Sequence, residues 1–149
     1  VKTDPLGSAA DIEGDRYNES VAFYIRSGTK RICLYRANAK REIRHQLEEG
    51  RRLPLDKGAA GRIFLAYSDQ EGAPYDTIRE QGWYTSFGER DPEVAAVGVP
   101  VFDTGGTIIA SLCISGLISR FGNRRQRELV KALQEKASEL SEQLGKNLL

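Results

Sequence analysis

Val94-Ala95-Ala96-Val97-Gly98-Val99-Pro100-Val101-Phe102 runs without a charge into Asp103-Thr104-Gly105-Gly106, and Thr107-Ile108-Ile109-Ala110-Ser111-Leu112-Cys113-Ile114-Ser115 follows. Two apolar runs either side of an Asp/Gly turn predict an antiparallel hairpin. Alternation sorts its side chains into two faces. Ala95, Val97, Val99 and Val101, with Ile108, Ala110, Leu112 and Ile114 on the partner strand, form a bulky apolar face suited to packing against helices. The opposite face carries Ala96, Gly98, Pro100, Ser111, Cys113 and Ser115. Solvated strand faces ordinarily carry Lys, Glu, Thr or Arg, and this remains the plain alternative. Small residues with hydroxyls suit one wall of a ligand pocket better, because they leave room and offer hydrogen bonds.

Outward from this hairpin, the chain supplies what such a sheet needs. Val21, Phe23 and Ile25 alternate with Ala22, Tyr24 and Arg26, then Ser27-Gly28-Thr29-Lys30 turns into Arg31–Ala37, a second hairpin. A weaker strand is expected over Glu42–Leu47, and Trp83–Phe87 reads as a further one. Gly58–Ser68 has helical spacing at Ile63, Phe64, Ala66 and Tyr67, with Asp56 near its N-cap. Tyr75–Gln81 is a short helix stopped by Gly82. From Asn123, as cap, to about Leu144, one stripe holds Leu129, Val130, Leu133, Ala137, Leu140 and Leu144. A weak helical signal covers Ser8–Asp15. Strands, a helical middle, a hairpin and a terminal helix predict an α+β domain, an antiparallel sheet flanked by helices.

The chain has 149 residues and a formal net charge of +1, which suits one domain and argues against a dedicated nucleic-acid binder. The longest apolar runs, such as Ile108–Leu112, are far too short to span a bilayer, and no stretch reads as a signal peptide. Charge is unevenly distributed. Eleven basic residues face four acidic ones between Arg26 and Arg62, and eight acidic face two basic from Ile63 to Asp103. Such segments either lie as a salt-bridged solvated surface, meet across a subunit interface, or steer an anionic ligand. Arg120, Arg124, Arg125 and Arg127 crowd a helix start, where the dipole disfavours cations, and so call for a partner or an acidic neighbour.

The chemical inventory is thin. Cys33 and Cys113 sit in apolar runs without the spacing of a zinc or dithiol motif, and read as buried reduced thiols of a cytoplasmic protein. His45 is the single histidine, so no catalytic triad or metal set is expected, and no cofactor. Gly58-Ala59-Ala60-Gly61 opens a helix with side chains small enough for an anion to approach its N–H groups. Close helix–sheet packing is the other reading of the same residues.

Taken in order, Glu19-Ser20-Val21, Leu53-Pro54-Leu55, Gly58-Ala59-Ala60-Gly61-Arg62, Gly82-Trp83, Val97-Gly98-Val99-Pro100-Val101-Phe102-Asp103 and Ile114-Ser115-Gly116-Leu117-Ile118-Ser119 resemble the effector-binding domain of the IclR (isocitrate lyase regulator) family of transcription factors. The resemblance runs from about Glu19 to Gly145, behind a leading segment 1–18. It implies a GAF-like fold, a small-molecule effector, and homodimers or homotetramers. It also implies a winged helix-turn-helix DNA-binding domain N-terminal to this one. Nothing in residues 1–149 resembles that domain, and the chain begins at Val1 with no Met anywhere. A single effector domain cut from a longer regulator is therefore expected, binding effector but not DNA specifically.

By the same resemblance, an oxo-acid carboxylate would meet the amides of Ala59 and Ala60, and polar contacts would fall at Ser86, Ala96, Cys113 and Ser115. Only Ser115 keeps the residue type of the oxo-acid binders. With Trp83 and Phe87, and Tyr35 or Tyr24, adding aromatic lining, the expected effector is an aromatic or branched carboxylic acid. Two further function classes stay open: a stand-alone GAF-type sensor, and a GAF-like thiol enzyme using Cys33 or Cys113.

Overall fold

The computed structural model describes residues 19–37 and 49–148, with side chains to 144. The leading segment, the strand expected over Glu42–Leu47, and His45 lie outside the described residues. Six strands form one antiparallel sheet in the order β3-β2-β1-β6-β5-β4. They are β1 (Ser20–Ser27), β2 (Lys30–Ala37), β3 (Arg52–Pro54), β4 (Tyr84–Phe87), β5 (Val94–Phe102) and β6 (Ile108–Leu117). The helices are α1 (Ala59–Ala66), α2 (Tyr75–Gln81) and α3 (Asn123–Leu148), with a 3₁₀ turn over Ile118–Arg120. The fold is α+β, as the run of elements implied.

The two hairpin faces separate as alternation requires. Ala95, Val97, Val99, Val101, Ala110, Leu112 and Ile114 join Val21 and Phe23 in the main core, closed by Leu129, Val130, Leu133, Ala137 and Leu140 of α3. Leu144 packs on its edge. The amphipathic stripe of α3 therefore faces the bulky side of the sheet. α1 and α2 cover the small-residue side, with Ile63, Ala66 and Ile78 packed between them. Gly82 ends α2 in the left-handed region at φ 81, its N–H bonded to the Ile78 carbonyl at 2.7 Å.

Three local readings need correcting. Ile108 does not share the face of Ala110. An irregularity between Val101 and Phe102 pairs Val101 with Ala110 but Phe102 with Ile108. The extra residue is Ile109, which packs on the main core while Ile108 turns to the α1 side. Leu53-Pro54 forms part of an edge strand on β2, where a proline at the strand end breaks no central ladder. Asp56 is not the cap of α1. The N-cap is Gly58 at φ 92, with no side-chain cap bond. At the other end of the chain, α3 opens with Gln126 N–H on the Gly122 carbonyl at 2.9 Å, so Asn123 is its first residue and not its cap.

Candidate functional site

Strand register lays the small-residue face out in rows. Ser86 pairs with Ala96, Ala96 with Ser115, and Ser115 with Ser20, so one row of small residues crosses four strands. The next row holds Tyr84, Gly98, Cys113 and Ala22. The small face is not solvated: part of it receives α1 and part borders a cavity. At Gly98 the sheet receives α1: a Cβ there would stand 3.2 Å from the Ala59 Cβ and 3.4 Å from Ile63 Cγ1. Beyond it, the buried Ser111 hydroxyl donates to the Ala60 carbonyl at 3.2 Å, fixing α1 on β6. Ser86, Ala96, Cys113 and Ser115 border a cavity that α1 leaves uncovered, and the start of α1 closes one end of it.

The cavity has a volume of about 40 Å³, room for about three water molecules and far below the ~150 Å³ that accommodates a benzene ring. Six of the eight residues expected to contact an effector line it: Ala59, Ala60, Ser86, Ala96, Cys113 and Ser115. Trp83 and Phe87 do not. Tyr84 and Ser86 face α1, so the pleat turns positions 83 and 87 the other way. Trp83 packs against the main core beneath α3, and Phe87 is half exposed. The same alternation decides between the two tyrosines. Tyr24 lines the cavity, and Tyr35 packs on the α3 side.

Four charged residues complete the lining: Arg31 from β2, and Glu89, Arg90 and Asp91 from the β4–β5 loop. This makes the cavity more polar than its sheet wall alone. Glu89 ties that loop to the start of α1. Its Oε1 accepts from the Gly58 N–H at 3.1 Å and from Arg62 Nε at 2.8 Å, and its Oε2 accepts from the Tyr84 hydroxyl. Partial burial pushes the Glu89 carboxyl up, but the Tyr84 and Arg62 hydrogen bonds outweigh it and hold it below its usual range. The same burial and bond push the Tyr84 phenol up to about 12. Burial, and the neighbouring cations Arg31 and Arg51, lower the pKa of Arg90.

Arg31 is 3% exposed. Its Nη1 donates to the carbonyls of Pro54 and Lys57, at 2.9 and 2.8 Å, and its guanidinium stands 5.1 Å from the Tyr24 ring centre. Neither Arg31 nor Glu89 stands out in a motif. The available signal for Arg31 was parity, since it shares a strand face with buried Cys33, an unusual position for a charge. Glu89 lies in a loop without periodicity, and no sequence signal marks it.

The thiols show no activation. Burial pushes Cys113 up to about 11 and raises Cys33 as well, the opposite of what a nucleophilic thiolate needs. They sit on β6 and β2 with β1 between them, a separation of about 9–10 Å at normal strand spacing, beyond disulfide reach. Among the described residues no group of three or more His, Cys, Asp or Glu is placed to hold a metal ion. No helix among them is long and apolar enough to cross a membrane. Three of the four crowded arginines find acidic neighbours within the chain: Arg120 lies 3.5 Å from buried Glu19, and Glu128 faces both Arg124 and Arg125. The Arg62–Glu89 pair likewise joins the basic early segment to the acidic middle.

Comparison with known proteins agrees with this architecture. The family described as the bacterial transcriptional regulator IclR C-terminal domain matches residues 14–75 and 73–142. The HTH-type transcriptional regulator KdgR of Escherichia coli is 30% identical over 139 residues, covering 76% of this chain and 53% of that protein. KipR of Bacillus subtilis is 23% identical, covering 86% of this chain and 61% of that protein. The chain thus spans about half the length of the curated relatives it matches. The crystal structure of the Thermotoga maritima IclR superposes with a TM-score of 0.86 at 23% identity, over 95% of this chain and 68% of that one. Such relatives are named as transcriptional regulators and not as enzymes. The chain belongs to the IclR family of bacterial transcriptional regulators, and is an effector-binding C-terminal domain of that family.

Proposed function

We propose that the chain is the sensing module of a cytoplasmic bacterial regulator, in which a small, polar organic acid bound between the sheet and α1 changes DNA binding by a domain N-terminal to it. The observation that carries this reading is the uncovered row Ser86–Ala96–Ser115 beneath the start of α1. Its hydroxyls suit the oxygens of a ligand, and the N–H groups of Ala59 and Ala60, which the helix itself cannot pair, suit a carboxylate. The volume and the charged loop favour a short hydrophilic acid over the aromatic or branched one expected from the sheet wall alone.

A thermal-shift series with pyruvate, lactate and glycerate against benzoate tests this. A ligand at a hundred times its Kd raises apparent stability by about 2.7 kcal/mol. Stabilisation by at least one short acid is expected, with loss of that effect in Ala96→Leu, which fills the cavity. Stabilisation that survives Ala96→Leu unchanged would place the acid elsewhere and end the proposal. The regulator is further proposed to work as a homodimer or homotetramer, and sedimentation of the full-length protein at low and high salt tests this and any part played by charge in the contact.

A further inference from the structure

We infer that Arg31 is the charge anchor of the effector, and that together with the N–H groups opening α1 it selects a carboxylate over an uncharged ligand. The inference rests on the proposed function and adds the residue that decides ligand charge. Three observations converge on one spot. First, the Arg31 guanidinium lines the cavity and lies beside the first turn of α1: a Cβ on Gly58 would meet its Nη2 at 3.0 Å. Cation and helix N-terminus thus address the same volume, where a carboxylate gains from both.

Second, Arg31 is 97% buried, yet among the described residues the groups it bonds or stacks on are neutral: the Pro54 and Lys57 carbonyls and the Tyr24 ring. Its buried Nε has no hydrogen-bond partner among them. A buried guanidinium without a counter-ion is costly, and an anion in the cavity offsets that cost. The two carbonyl bonds and the ring hold it in place, so little freedom is lost when a ligand arrives.

Third, the carboxylate nearest the start of α1 is already engaged. Glu89 pairs with Arg62 at 2.8 Å and accepts from the Gly58 N–H, so an anionic ligand meets Arg31 without that competitor.

The test is calorimetric titration of this chain with pyruvate, lactate and glycerate, with pyruvamide and lactamide as uncharged counterparts. Binding of at least one of these acids is expected, with its amide weaker by roughly tenfold or more. Arg31→Gln is expected to weaken the acid by roughly tenfold to a hundredfold, and Arg31→Lys by less, since it keeps a cation but loses the fork. Arg31 also holds two loop carbonyls, so Arg31→Gln risks the fold; the acid–amide comparison on the unaltered chain then decides. An amide that binds as well as its acid, or an acid indifferent to a folded Arg31→Gln, overturns the role of Arg31 and leaves the sensing function standing. No acid binding at all to the unaltered chain overturns both.

Discussion

Gly61 is the space that Arg31 occupies. A Cβ at position 61 would stand 2.5 Å from Arg31 Nη1 and 2.4 Å from the Leu55 carbonyl oxygen. The glycine at the start of α1 therefore makes room for the arginine packed against it as much as for any ligand. On an unobstructed helix, replacing glycine by alanine gains about 1 kcal/mol.

Gly61→Ala should invert that sign. The clash is with a backbone carbonyl, which cannot swing aside as a side-chain end does, so an overpacking loss of about 1–3 kcal/mol is expected. Urea unfolding midpoints of the two proteins measure it. A stabilised variant would show that Arg31 and the β3–α1 loop are not packed against the helix.

The Glu89 cluster gives stability a pH dependence at both ends. Its carboxyl is held below its ordinary value in the folded chain, so its contribution is present above that ordinary value and is lost as pH falls through the folded one. Tyr84 is raised from 10 to about 12, so its contribution is intact below pH 10 and is lost as pH rises towards 12. Unfolding free energies measured across pH should therefore fall less steeply in acid for Glu89→Gln, and less steeply in alkali for Tyr84→Phe.

Both cysteines should resist alkylation while the chain is folded. Cys33 and Cys113 are buried, with raised pKa values, so iodoacetamide at pH 8 should label neither appreciably until urea unfolds the protein. Mass spectrometry of the quenched reaction reads this directly. Rapid labelling of the folded chain would reopen thiol chemistry.

Leu133→Ala tests the core on the other side of the sheet. Leu133 is fully buried among β5, β6 and α3 residues, and its truncation should cost about 2–5 kcal/mol by thermal or urea unfolding. Leu34, 45% exposed as the extra residue of the bulge between β1 and β2, should tolerate the same change with little loss.

Regular repetition made most of this fold legible. Alternation over β5 and β6 assigned their two faces, and the 3.6-residue period of Leu129, Val130, Leu133 and Leu140 assigned the buried side of α3. Legibility failed where an inserted residue reset the count, as at Ile109, and where an element was too short to show a period, as in β3. The site followed the same rule. Its sheet wall was readable because Ala96, Cys113 and Ser115 share a parity. Trp83 and Phe87 were misplaced because their aromatic character outweighed a parity that already separated them from Ser86. The charged half came from a loop and from one inward arginine, where a single chain carries no repeat to read.

The register of the central strands has a mechanical consequence. Ser115, in the cavity wall, is the Cα partner of Ser20, the first residue of β1. The chain thus enters the sheet on the rung that borders the cavity, at the middle of the sheet and not at an edge. A displacement of that rung reaches the upstream chain across one interstrand step, with no intervening layer of side chains to absorb it.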